Sequence, residues 1–218
     1  MAAKRALKPI PAGEEAGTVR DRILAAAFAA FTGGGFAETS TLEIATRARV
    51  SKRELYALFG SKQEMLIACI GERARRLTMP ADLPAPRDRT SFAVALSTFG
   101  AQLLRETSDP AVIAVFRLAI SEAVRAPEVG KMLNDIGIET SRGALRELMR
   151  RAGAAKLLNG EPVILADHFA GLLWGNRMLA LLLDTAPRPG ARETVARAEA
   201  ATEAFLRAYP APDSNFSR

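Results

Sequence analysis

One cysteine, Cys69, and one histidine, His168, stand among 218 residues. A lone thiol closes no intramolecular disulfide, and one thiol with one imidazole leaves no Cys/His set for a zinc site. Aromatic residues are scarce at 6% and β-branched runs are few, whereas Ala and Leu abound. That balance favours helices over a β-sandwich or a parallel sheet. No long apolar run is free of charge: Val163–Leu183 contains Asp167, His168, Asn176 and Arg177, each costly in lipid. The stretch therefore reads as a buried helix of a soluble protein. Met1–Gly17 has no apolar segment and is broken by Pro9, Pro11 and Gly13, so no secretory signal is expected and the expected location is cytoplasmic.

What the chain does have is 49% apolar and 25% charged residues, the composition of a folded core. Its net charge of +6 is uneven. Residues 1–78 carry 13 Lys and Arg against 8 Asp and Glu, and residues 79–218 carry 17 against 16. A basic first third beside a nearly neutral remainder suggests an anionic partner, nucleic acid first and an anionic membrane surface second.

Capping residues and spacing divide the chain into helices. Thr18 can cap a helix in which Val19, Ile23, Phe28 and Phe31 recur before Gly33-Gly34-Gly35 stops it. No strand precedes these glycines, so they read as a helix stop rather than a phosphate cradle. Thr41 is expected to cap Leu42–Ala48 and Ser51 to cap Lys52–Phe59, a helix-turn-helix with Arg49 and Val50 between its arms. Leu42, Ala45, Ala48, Val50, Leu55 and Phe59 would close its core, and Ser61 would cap a further helix to about Thr78. Pro80, Pro84 and Pro86 then mark a boundary. Beyond it five helices are expected: Ser91–Thr107, Pro110–Arg125, Pro127–Ala152, Pro162–Asp184 and Arg192–Ala208. The fold class is all-α. Residues 1–17 are expected to form a tail, 18–78 a three-helix helix-turn-helix unit plus connecting helix, 79–208 a larger helical domain, and 209–218 a second tail.

The segment Thr39–Leu66, TSTLEIATRARVSKRELYALFGSKQEML, resembles the DNA-binding segment of the TetR family of bacterial transcription regulators. The likeness lies in the Ile-Ala pair of the first short helix, Val-Ser at the turn, Lys-x-x-Leu-Tyr-x-x-Phe in the second helix and Ser-Lys opening the next. Phe169–Leu173 is similar to a C-terminal ligand-binding domain found in part of that family. Three departures are visible: Arg49 stands where the turn usually has glycine, forcing a left-handed residue or an adjusted turn, Ala57 stands where relatives carry an aromatic residue or His, and Arg53 stands where a small residue is common.

A short helix entering a major groove presents its N-terminal turn first, here Lys52, Arg53 and Glu54. The two cations can donate to guanine O6 and N7, and the carboxylate can accept from a cytosine amino group. The resemblance assigns phosphate contacts to Thr41, Tyr56 and Lys62, with Ser51 near the backbone; Thr41 and Ser51 serve equally well as N-caps. The resemblance also implies a homodimer in which the last two long helices meet their copies, reading a palindromic operator. Gly171, Gly175, Val195, Thr202 and Phe205 are the candidate dimer residues, although the glycines could equally pack within one subunit. Phe99, Phe116, Ile136, Phe169 and Trp174 are candidates for a cavity holding a small hydrophobic effector, with His168 as a polar anchor; plain core accounts for them too. No cofactor and no metal are expected.

The function implied is a sequence-specific transcriptional regulator, a repressor released by its effector. An enzyme built on Asp167 and His168 is disfavoured, because neighbours on a helix point about 100° apart and no nucleophile elbow accompanies them. The alternative is a basic helical module that binds anionic lipid or nucleic acid without sequence preference.

Overall fold

The computed structural model describes residues 18–80, 83 and 85–211. The first expected tail, most of the second, and Pro84 of the proline-rich boundary lie outside the described residues. Among those described, every regular element is helical.

Helix α1 (Val19–Gly34) opens on a capping box: the Thr18 hydroxyl accepts the Asp21 N–H, and the Asp21 carboxylate accepts the Thr18 N–H at 2.9 Å. Helices α2 (Thr41–Ala48), α3 (Lys52–Phe59) and α4 (Lys62–Ala74, ending in a 3₁₀ turn Arg75–Leu77) each begin after a serine. The hydroxyls of Ser40, Ser51 and Ser61 each accept the backbone N–H three residues on, at 3.1 Å. The cap of α2 is thus Ser40 and not Thr41, whose hydroxyl is left for another partner. One core residue was also misplaced: Leu42 is 57% exposed, while Ile44, on the side of α2 facing α1, is buried.

Ile23, Phe31, Ile44, Leu55, Met65 and Leu66 pack in one apolar cluster that continues into α6 (Pro110–Ser121) and α7 (Pro127–Met132) through Val115, Leu118 and Val129. A second cluster joins α5 (Arg89–Thr107), α8 (Glu139–Ala154), α9 (Pro162–Trp174) and α11 (Ala191–Ala208). At its centre Phe169 meets Phe205 edge to face, with centroids 5.6 Å apart.

Two expected helices are broken. Pro127–Ala152 runs as α7, a π-helical stretch Leu133–Ile138, then α8. Gly137 in that stretch brings the backbone against Ile70 of α4, the kind of local widening that π segments provide. Pro162–Asp184 divides into α9 and α10 (Arg177–Leu182) because Gly175 takes φ +49°, open to glycine alone at little cost. Arg197 of α11 secures that end by donating to the carbonyls of Leu173 (2.6 Å) and Trp174 (3.0 Å). Arg117 does the same for α10 at Leu181 and Leu182, and Arg89 ties the end of α11 at Leu206 and Tyr209 to Leu157. Cations at helix C-termini satisfy carbonyls that have no partner within the helix. No helix among the described residues is long and apolar enough to cross a membrane.

Candidate nucleic-acid interface and adjoining cavity

The turn between α2 and α3 resolves the question that Arg49 posed. Arg49 adopts φ 55°, ψ 50°, and the Val50 N–H closes back on the Ala45 carbonyl at 3.0 Å. This is the left-handed helix stop that glycine normally supplies. Arg22 of α1 donates to the Ala48 carbonyl at 3.4 Å, pinning the same corner. Leu55 and Phe59 are buried and hold α3 against the core. The opposite side of its first turn is left to Lys52 and Arg53, both exposed and without an ion pair or hydrogen bond among the described residues.

Glu54 is engaged elsewhere. Its carboxylate accepts the Ser51 N–H at 2.8 Å and the Ser51 hydroxyl at 2.7 Å, which holds its pKa below the usual value. The cytosine-reading role foreseen for Glu54 is therefore corrected: its side chain folds back to close the N-terminus of α3 in a capping box. Ser51 is the other half of that box.

Lys62 requires a second correction. Its ammonium donates to the carbonyls of Phe36 (2.8 Å), Ala37 (3.2 Å) and Thr39 (3.0 Å) and lies over the Phe36 ring at 4.6 Å. An ammonium has three N–H donors, and all are spent on the α1–α2 turn. Thr41 and Tyr56, by contrast, sit hydroxyl to hydroxyl at 3.1 Å across α2 and α3. Only one of the two protons is used between them, so the pair retains a donor for solvent or an anion.

A partly open cavity of about 210 Å³ adjoins this unit. Helix α4 contributes Ile70, Arg73 and Ala74, α6 contributes Val112, Val115 and Phe116, and the π segment contributes Leu133, Gly137 and Ile138. Trp174 and Met178 close the side nearest α9 and α10. The sequence pattern missed the α4 and π-segment residues. The signal available was that α4 runs on past the helix-turn-helix with Ile70, Ala74 and Leu77 at helical spacing.

Residues 94–211, more than half of the chain, match the model of the AefR-like transcriptional repressor C-terminal domain, and residues 23–69 match that of bacterial regulatory proteins of the tetR family. The chain belongs to the TetR family of bacterial transcriptional regulators. Its fold is similar to that of the flavonoid-responsive regulator FrrA, with 29% identity and a TM-score of 0.74 over 91% of this chain and 100% of that one. A TetR family transcriptional regulator from Pseudomonas syringae pv. tomato str. DC3000 is 26% identical with a TM-score of 0.67, covering 90% and 99%. A TetR transcriptional regulator from Agrobacterium tumefaciens shares the fold at 24% identity and a TM-score of 0.73, covering 90% and 96%. No match was found among curated proteins.

The helical arrangement of this TetR-family chain disperses several residues grouped on sequence. Phe116 and Trp174 line the cavity, but Phe99, Ile136, Phe169 and His168 do not. Phe99 and Phe169 are buried in the second core, and Ile136 packs on the first. His168 is exposed on the outer side of α9, with Nδ1 joined to the Tyr209 hydroxyl. Phe205 and Thr202 are buried in the protomer, whereas Val195 is exposed, near Ala101 of α5. The outward side of α11 also presents Ala196 and Ala200. Gly171 is exposed on α9 with open space where a Cβ would stand. Gly175 acts as a helix stop rather than a groove for a neighbouring helix.

Proposed function

We propose that this TetR-family regulator is a homodimeric repressor that binds a two-fold symmetric operator through α3 and leaves it when a small hydrophobic effector fills the cavity. The observation that carries this reading is the sharing of α4. The helix begins directly after α3 and places Ile70, Arg73 and Ala74 in the cavity wall. A ligand there contacts the same rigid element that positions the DNA-binding helix, and a coupling needs such a shared element. Lys52 and Arg53 are the base readers, and the Thr41–Tyr56 hydroxyl pair is the phosphate contact. The similarity to a flavonoid-responsive regulator supports an aromatic ligand.

Exposed apolar residues support the dimer. Val163, Ile164 and Leu172 of α9 and Leu179 of α10 are solvent-facing large hydrophobics in one protomer. With Gly171, Ala196 and Ala200 beside them, two copies could approach closely. The DNA-binding unit is assigned to residues 18–78 and the effector and dimer unit to 79–208, with α6 and α7 sharing core across that division.

Selection of duplexes from a random pool by the full-length protein tests the reading. The expected product is a dyad whose half-sites lie about one helical turn apart or a multiple of it. Binding that ignores sequence at constant salt would support the non-specific basic module instead.

A further inference from the structure

We infer that the effector is a compact aromatic or alicyclic anion, a carboxylic acid class of ligand, held in the α4–α6 cavity by Arg73 and Arg142; this rests on the cavity being the effector site. The cavity of about 210 Å³ equals about seven waters at their liquid volume. That space suits one or two rings.

Arg73 lines both the mainly apolar cavity and the cleft beside it. It stacks on Phe28 at 3.7 Å and donates once, to the Cys69 carbonyl at 2.8 Å. Among the described residues no carboxylate oxygen lies within 4.0 Å of it. Phe28 and Cys69 line an open cleft together with Asp21, Glu72, Glu106 and Asp109, but each of those acids has another partner. Asp21 closes the Thr18 cap, Glu72 pairs with Arg75, Glu106 with Arg105 at 3.0 Å, and Asp109 with Arg188 at 3.7 Å. Burial pulls the Arg73 pKa below its ordinary value, yet a guanidinium stays protonated in proteins. A half-buried cation with unused donors beside an apolar cavity is the natural counterpart of an anion.

The hydroxyls in the wall point the same way. Thr107 donates to the Leu103 carbonyl at 2.6 Å and Ser141 to the Ile138 carbonyl at 2.8 Å, so neither proton remains for a ligand. Donors are left on Arg73, Arg142 and the Trp174 indole. Arg142 pairs with Glu139 at 3.2 Å, and Glu139 also accepts from Arg146 at 2.8 Å. Glu139 therefore keeps a partner when Arg142 turns to a ligand.

The test uses the full-length protein and three matched pairs of probes: benzoic, 1-naphthoic and biphenyl-4-carboxylic acids, each against its own primary amide, with affinity read by calorimetry. At least one acid should bind about tenfold or more tightly than its amide, the gap between a charged and a neutral hydrogen-bond partner. Arg73→Gln should erase most of that preference, and Arg142→Gln should reduce it. If removal of the Phe28 stack unfolds the first variant, the second carries the same comparison. Amides that bind as tightly as their acids overturn the anion and leave the cavity standing. Acid binding that persists in Ala170→Trp, which fills the cavity, overturns the site. Failure of all six probes overturns the carboxylic acid class, while the regulator reading stands or falls by the duplex selection.

Discussion

The two halves of the molecule place their unpaired cations differently. In the second, Glu139 holds Arg142 and Arg146, Glu147 holds Arg150 and Arg151, Glu193 holds Arg177, and Glu203 holds Arg207. Arg89, Arg117 and Arg197 close helix ends there. In the first half Arg22, Lys62 and Arg73 also donate to carbonyls, and Arg47, Arg75 and Arg76 pair with Glu43, Glu72 and Glu106. Cations without a side-chain partner among the described residues occur in both halves, Arg87, Lys131, Lys156 and Arg192 singly in the second, but Arg49, Lys52 and Arg53 lie within five consecutive positions at the start of α3. Excess charge along the sequence locates the basic half. The surface available to an anion is located by where unpaired cations cluster, which the formal count does not reveal.

The comparison implies that the second half is held by its core and not by its many ion pairs, since exposed pairs contribute little. Phe205→Ala should therefore have the largest effect, a loss of about 3–5 kcal/mol. Phe205 is fully buried against Phe169 and lies within 4.9 Å, centroid to centroid, of Tyr209. Denaturant titration at several protein concentrations measures it. A loss that appears only at low concentration would return Phe205 to the dimer interface.

Next in size is a contrast between two lysines on neighbouring helices. Lys62→Met strips three carbonyls of a charged donor and should cost about 1.5–3 kcal/mol of stability, while the salt dependence of DNA binding stays as it was. Lys52→Met should leave stability unchanged. If Lys52 meets a phosphate, that variant lowers the salt slope by about one unit per subunit; if it meets a base, it costs about 1–3 kcal/mol of affinity on the preferred sequence alone. A changed slope in Lys62→Met would put that ammonium back on the DNA.

Local chemistry was legible and long-range packing was not. Thr18, Ser51, Ser61 and the glycines after Phe31 announce helix ends, because a cap is settled within four residues. The tight α2–α3 pair followed from the same signals. By contrast, the role of Lys62 depends on carbonyls of residues 36–39, which no local pattern reveals. Glu54 was open to a correct reading, since Ser-x-x-Glu is the capping-box spacing. The break of Pro162–Asp184 needed both the φ of Gly175 and the reach of Arg197, which lies more than twenty residues away. The cavity was misassigned because an apolar stripe does not say which of its members meet a void: Phe99 and Phe169 fill the core, while the smaller Val112 and Val115 line the space.

Arg49 offers a smaller effect with opposite signs in the two readouts. Its left-handed backbone costs a side-chain-bearing residue about 1 kcal/mol relative to glycine. Arg49→Gly should raise stability by an amount of that order and weaken DNA binding by removing one unpaired cation. Thermal unfolding and a salt titration of binding separate the two. Stability gained with affinity and slope unchanged would show that Arg49 faces solvent rather than phosphate, and would narrow the unpaired cluster to Lys52 and Arg53.

The smallest effect belongs to the paired cations. Hydrogen bonds from Arg150 and then Arg151 bring the Glu147 pKa down from its ordinary 4.5 to about 2, although the carboxylate is solvent-exposed. A carboxyl with a depressed folded-state pKa stabilises the fold above its unfolded value, and that contribution disappears as pH falls through the folded one. The stability gap between wild type and Glu147→Gln should be complete at neutral pH, should shrink between pH 4.5 and about 2, and should close in high salt, because exposed charges are screened. Lys52→Met should show no such gap at any pH, having no partner to lose. The measurement is the denaturation midpoint along a pH series at low and high ionic strength. A Glu147 gap that persists undiminished at the acid end would mean that the side chain stabilises α8 through packing of its methylenes over Arg150 and Arg151, and the contrast between paired and unpaired cations would then lose its electrostatic basis in this half of the chain.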